Sequence, residues 1–270
     1  MKTITSKDGT SIAFDQSGEG PALIVVAGAS ATRLDEASIA AALAPDFTVF
    51  AYDRRGRGDS GDTSPYAVER EVEDIESLID AAGGSAFVFG HSSGAVLALE
   101  AARLLPPTTI TKLALYEPPF IIDDSRSPAP PDFSTHLQEL VASGRRGDAV
   151  EAFMSFVGTP RDMLAGMRQS PWWPQIEANA QSLVYDAAIV QDVEQGDPAS
   201  LRKYASVAVP TLVMDGTMIF GSTDGHAFMR HGADALAGVL PHAQRRTLEG
   251  QDHGPADDVL APALKAFFLA

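Results

Sequence analysis

The sequence predicts an α/β protein with a mainly parallel sheet flanked by helices, and three stretches predict it. Residues 22–26 (ALIVV) are continuously apolar, as a strand covered on both faces must be. Residues 68–82 place Val68, Val72, Ile75 and Ile79 at four- and three-residue steps, which is an amphipathic helix. Residues 85–105 (SAFVFGHSSGAVLALEAARLL) run from a short apolar strand through Gly90-His91-Ser92-Ser93-Gly94 into a helix-favouring segment with no linker between them.

In chain order, residues 11–17 (SIAFDQS) alternate like a half-exposed strand, and 22–26 follow as a central one. The turn Ala27-Gly28-Ala29-Ser30 leads to a helical stretch at 34–43 and a further apolar strand at 47–52. The helix at 68–82 is stopped by Gly83-Gly84. Its acidic run, Glu69, Glu71, Glu73, Asp74 and Glu76, reads as a solvated face rather than a cation site. After the 95–105 helix comes one more strand, 112–116 (KLALY), ending at Glu117-Pro118-Pro119.

Alternation then fails. Residues 120–208 carry helical and loop signals, with no comparable buried strand, and read as an inserted helical cap. The core is assigned to residues 1–119 and 209–270. Strand and helix alternate again from 211–214 (TLVM), through a helix at 227–240, a short strand at 245–248 and a loop carrying His253, to a closing helix at 256–268.

Composition narrows the function classes. The 270 residues, 45% of them hydrophobic, suffice for one large domain with an inserted lobe. With 20 basic against 36 acidic residues, the net charge of −16 argues against nucleic acid or an anionic membrane as partner and favours a neutral or apolar small-molecule substrate. No apolar run reaches the roughly 18 residues of a membrane span, and the first residues lack a signal-peptide segment, so the cytoplasm is the expected compartment. The lack of cysteine excludes thiol chemistry, the histidines show no metal-ligand spacing, and no cofactor is expected.

The chemistry centres on Ser92. A strand–turn–helix with glycine on either side pushes one hydroxyl out at a helix start. Serine needs a base within reach, and imidazole suits that work. His253 is the candidate, because a loop between the last strand and last helix falls at the same sheet edge as Ser92. His91 is expected to pack away from the serine, and His136, His226, His231 and His242 to lie on the surface or the cap. The arginines of the 52–59 turn, Arg54, Arg55 and Arg57, are expected to pair locally.

This order of parts resembles the α/β-hydrolase fold: a mainly parallel sheet of about eight strands, a nucleophile after the fifth, a cap between the sixth and seventh, and a histidine after the last. The resemblance implies an oxyanion hole from the amides of Ser93 and Ala29, although the usual His-Gly-x-Pro turn is here Ala27-Gly28-Ala29-Ser30. It also implies a carboxylate behind the histidine. The customary place after the seventh strand holds Ile219, which leaves Glu117 at the end of the sixth strand as the favoured acid, as some dehalogenases and lactonases place theirs. Asp224, or a Ser-His dyad, is the alternative.

Trp172 and Trp173, bracketed by prolines, are the cap candidates for substrate contact, whereas Phe153 and Phe156, at helical spacing, are expected in the cap's own core. The expected activity is cleavage of an ester or lactone of a small, largely apolar molecule through an acyl-enzyme. C–C bond hydrolysis, peroxide formation and non-catalytic ligand binding stand as alternatives, the last motivated by Ala27 and Ile219.

Overall fold

The computed structural model describes every residue except 221, 223 and 224. Its eight strands are β1 (Lys2–Thr5), β2 (Ser11–Ser17), β3 (Ala22–Val26), β4 (Thr48–Tyr52), β5 (Ala86–His91), β6 (Ile110–Tyr116), β7 (Thr211–Asp215) and β8 (Ala243–Thr247). They form one sheet in the order β1-β2-β4-β3-β5-β6-β7-β8. The first two pairings, β1 with β2 and β2 with β4, are antiparallel, and all the others are parallel. The sequence reading missed β1, because only Ile4 of Lys2–Thr5 is even half-buried and an exposed edge strand leaves no apolar pattern.

Helices cover both faces. On one side α2 (Val68–Ala81), α3 (Ser93–Leu104) and α9 (Ala227–Val239) bury Ile75, Leu78, Leu97 and Leu236 against Val26, Val88 and Leu115. On the other, α1 (Ala37–Leu43) and α10 (Asp257–Phe268) bury Leu43, Leu264 and Phe268 against Val25, Phe89 and Met214. The odd and even residues of the central strands therefore feed two separate cores, which is why those strands read as unbroken apolar runs.

Between β6 and β7 the described chain forms α4 (Phe133–Ala142), α5 (Arg146–Phe156), α6 (Arg161–Arg168), α7 (Trp173–Ala178), α8 (Ala180–Val190) and two 3₁₀ stretches, Gln191–Val193 and Pro198–Ser206. The α-helices close on a core of their own around Leu137, Val150 and Leu183. Leu201, Tyr204 and Val207 of the returning segment instead join the main core.

Two expectations fail at the same place. Glu71 and Asp74 lie on no solvated face: both are fully buried and pair with Arg54 and Arg55. Arg54 donates to Glu71 and also, at 2.8 Å, to Asp186 of α8, 132 positions away. Arg57 donates to both oxygens of Asp186 at 3.3 and 3.2 Å. These pairs bridge layers rather than close locally. A buried guanidinium must find acceptors, and the helices packed over the turn supply them.

Truncating Asp186 leaves Arg54 and Arg57 buried with a missing counter-ion. Asp186→Ala is expected to cost about 3–5 kcal/mol in urea unfolding, whereas Asp148→Ala, whose carboxylate pairs with Arg145 and Arg168 at the surface, should barely move the midpoint.

Candidate active site

At the end of β5 the chain turns into α3 within one residue. A Cβ on Gly90 would lie 2.5 Å from the Gly94 carbonyl oxygen, and one on Gly94 would lie 2.3 Å from that of Val26. Both positions therefore admit only glycine. Ser92 takes φ 55° and ψ −124°, a conformation an L-residue adopts only when its surroundings impose it. The imposition is visible: its amide donates to the Tyr116 carbonyl at 2.9 Å, and its carbonyl accepts from Ala95 at 2.9 Å.

Glu117 follows β6 with φ 46° and a fully buried side chain. Oε2 accepts from His253 Nδ1 at 2.6 Å, and Oε1 accepts from the Gly216 amide at 2.8 Å and from His226 Nε2 at 2.9 Å. Burial alone would raise this carboxyl; the hydrogen bonds from His226, His253 and Gly216 overcome it and hold the pKa down to about 2. With Nδ1 donating to the carboxylate, His253 carries its lone pair on Nε2.

The loop bearing His253 is tied down around it. His91 Nε2 donates to the His253 carbonyl at 2.8 Å, Tyr116 Oη donates to that of Asp252 at 2.6 Å, and the His253 amide donates to Asp252 Oδ1 at 2.7 Å. Burial, with the neighbouring His253, lowers the His91 pKa to about 3, so the ring stays neutral. His91 thus holds a loop as well as packing. His226, expected on the surface or the cap, is buried against Glu117 at the start of α9, and no motif in the sequence marks it. Asp215 pairs with Arg245 at 2.8 Å, Ile219 lines the cavity, and Asp224 lies outside the described residues.

The turn after β3 is held by the Asp186 network. The Ala27 carbonyl accepts from Arg54, the Gly28 carbonyl accepts from Arg57, and the Ser30 amide donates to Asp186 Oδ2, at 3.2, 3.0 and 3.2 Å. Ser93 Oγ donates to Asp186 Oδ1 at 2.8 Å. Ala29 and Ser93 both line the cavity beside Ser92, and among the described residues neither amide donates to a protein acceptor.

That cavity measures about 260 Å³ and holds Ser92 and His253 in its wall. Phe133, Phe153 and Phe156 of α4 and α5 line it, so the two phenylalanines expected in the cap's core face the cavity, Phe153 serving both. The tryptophans do not line it. Pro174 sits in the first turn of α7, where proline starts a helix instead of holding a loop open. Trp173 is thereby buried in the helical layer under Arg168, and Trp172 is left 67% exposed.

Because the folded pKa of Glu117 lies below its ordinary 4.5, its stabilisation is present above about pH 4.5 and is lost as pH falls towards 2. The difference is worth about 3 kcal/mol. The urea midpoint of the wild type should therefore fall more steeply between pH 5 and 2 than that of Glu117→Gln.

A solved alpha/beta hydrolase from Sphaerobacter thermophilus is 52% identical, with 99% of this chain and 100% of that one covered and a TM-score of 0.87. The N-formylmaleamate deformylase of Pseudomonas putida is 27% identical over 203 residues, 73% of this chain and 70% of that protein. At 19% identity the enol-lactonase of Burkholderia xenovorans shares the fold, with a TM-score of 0.70 and full coverage of both chains. Residues 23–263 match the alpha/beta hydrolase family, and the chain belongs to it.

Proposed function

We propose that the protein is a serine hydrolase that cleaves an ester or lactone of a small, largely apolar molecule through an acyl-enzyme, with residues 120–208 as the cap over its site. One observation carries the reading: His253 donates from Nδ1 to the buried Glu117 at 2.6 Å, in the wall of the same cavity as Ser92. In this reading Ser92 Oγ gives its proton to His253 Nε2 and bonds to the acyl carbon. The Ala29 and Ser93 amides hold the resulting oxyanion. On collapse the leaving alkoxide takes the proton from His253, and water, deprotonated by the same nitrogen, releases the acid. Glu117 orients the imidazole and stabilises its charged form; held at about 2, it stays ionised throughout.

Attack on an N-acyl bond would use the same groups, and the name of the Pseudomonas putida relative describes removal of an N-formyl group. A substrate panel therefore includes formamides beside p-nitrophenyl esters and lactones.

Ser92→Ala should abolish both ester turnover and labelling by a fluorophosphonate. Glu117→Gln should lower kcat by about 10³–10⁴-fold, and Asp224→Asn should change it little. A large loss in Asp224→Asn alone would move the acid to that position. Ligand binding with no turnover and no labelling of the wild type would instead favour a binding protein.

A further inference from the structure

The cavity is largely apolar, and its wall carries two charged side chains that the proposed reaction does not use. Arg126 comes from the loop between β6 and α4, and Glu194 follows the first 3₁₀ stretch; both line the cavity. The two segments are laced together, with Ile121 N donating to the Val193 carbonyl at 3.0 Å, Ala129 N to that of Glu194 at 2.9 Å and Gly196 N to that of Ile121 at 2.8 Å. Arg126 lies over the rings of Phe228 and Phe156, 4.4 and 5.3 Å from their centroids, and donates to the Phe156 carbonyl. It also lines an outer depression that includes Pro128, Pro130 and Phe220 but not Ser92 or His253.

Among the described residues no carboxylate forms an ion pair with Arg126; Glu194 acts on it only from a distance. Its charge and most of its donors are therefore uncommitted in a largely apolar wall. A guanidinium is a planar fork that fits a carboxylate bidentately, and the two rings beside that of Arg126 leave it poorly solvated. Glu194 is 6% exposed, and burial, opposed by Arg126, pushes its carboxyl up to about 8. In its protonated form it is a second donor. The other titratable groups in the wall are engaged elsewhere: Asp186 with Arg54, Arg57 and Ser93, and His91 and His253 around the nucleophile.

We propose that Arg126 and Glu194 form a carboxylate-binding subsite, so that the preferred substrate has an apolar body, a scissile acyl bond at Ser92 and a carboxylate at its other end. The proposal rests on the serine-hydrolase reading. It also departs locally from the sequence-based expectation of a neutral or apolar substrate, since a net charge of −16 sets the far field and one desolvated guanidinium sets the near one.

The test compares mono-p-nitrophenyl esters of C6 to C8 dicarboxylic acids with the p-nitrophenyl esters of the matching monocarboxylic acids. The wild type should prefer the carboxylate-bearing member in kcat/KM by roughly tenfold or more, chiefly through KM. Arg126→Met should bring that ratio towards one, with Arg126→Lys between. As Glu194 ionises above about pH 8 it repels the substrate carboxylate, so the wild-type ratio should fall as pH rises, and Glu194→Gln should flatten that fall. A wild-type ratio near one, or a ratio unchanged in Arg126→Met, overturns the subsite. If no ester is turned over at all, the ester reading fails instead, and calorimetric binding of adipate still decides the subsite: tight binding lost in Arg126→Met supports it, and equal binding by both proteins overturns it.

Discussion

Asp186 is the constraint on which the arrangement of the site depends. It is fully buried on α8, in the helical layer, and its two oxygens accept from Arg54, Arg57, Ser93 and the Ser30 amide. Those donors belong to the turn after β4, the start of α3 and the turn after β3. One carboxylate therefore fixes three loop segments at the sheet edge against a helix inserted between β6 and β7. Such a buried cluster gains little over a well-packed apolar one, because desolvation cancels much of its Coulomb energy. What it supplies is registry: an apolar contact tolerates a sliding helix, and a carboxylate with four directional donors does not.

Glu117 is a second buried carboxylate solved differently. Asp186 is balanced by two arginines, whereas Glu117 accepts from the Gly216 amide and two imidazoles. No guanidinium or ammonium pairs with Glu117 among the described residues, so its carboxylate faces the imidazole of His253 directly, at 2.6 Å. The left-handed φ of 46° is the conformational cost of aiming a side chain back under the sheet edge directly from a strand end, and the hydrogen bond that the Glu117 amide donates to the Met214 carbonyl at 2.9 Å helps impose it.

Legibility in the sequence followed the range of the interactions. The central strands, α2, α3 and the elbow could be read because local rules shape them: two-sided burial, a 3.6-residue period, and glycines where a Cβ would strike the neighbouring backbone. His253 could be placed because a strand's carboxyl end is implied by the order of elements. Glu71 and Asp74 misled, since an acidic residue on a helix is solvated unless something distant covers it, and here Arg54 and Arg55 do. His226 was invisible for the same reason, its partner being 109 positions away. The tryptophans misled through chemistry that was legible: a proline after an aromatic pair can open a helix, and Pro174 opens α7.

The helical layer divides into a part that is pinned and a part that is not. On α8, Asp186 is held by the core arginines, and neighbouring Tyr185 donates to Asp62 at 2.6 Å and stacks on Tyr66 with centroids 3.9 Å apart. A substitution there disturbs the loops around Ser92 as well as the cavity. Phe133 on α4 packs against Phe153 and Phe156 on α5, with centroids 6.4 and 4.8 Å apart, and none of the three side chains has a hydrogen bond to the Asp186 cluster. Changing them alters the shape of the cavity without removing a hydrogen bond that holds the elbow, the β3 turn or the His253 loop. The fold thus holds Ser92 through hydrogen-bonded turns and lines the cavity with rings outside that network, so the cavity can change shape while Ser92, His253 and Glu117 keep their arrangement.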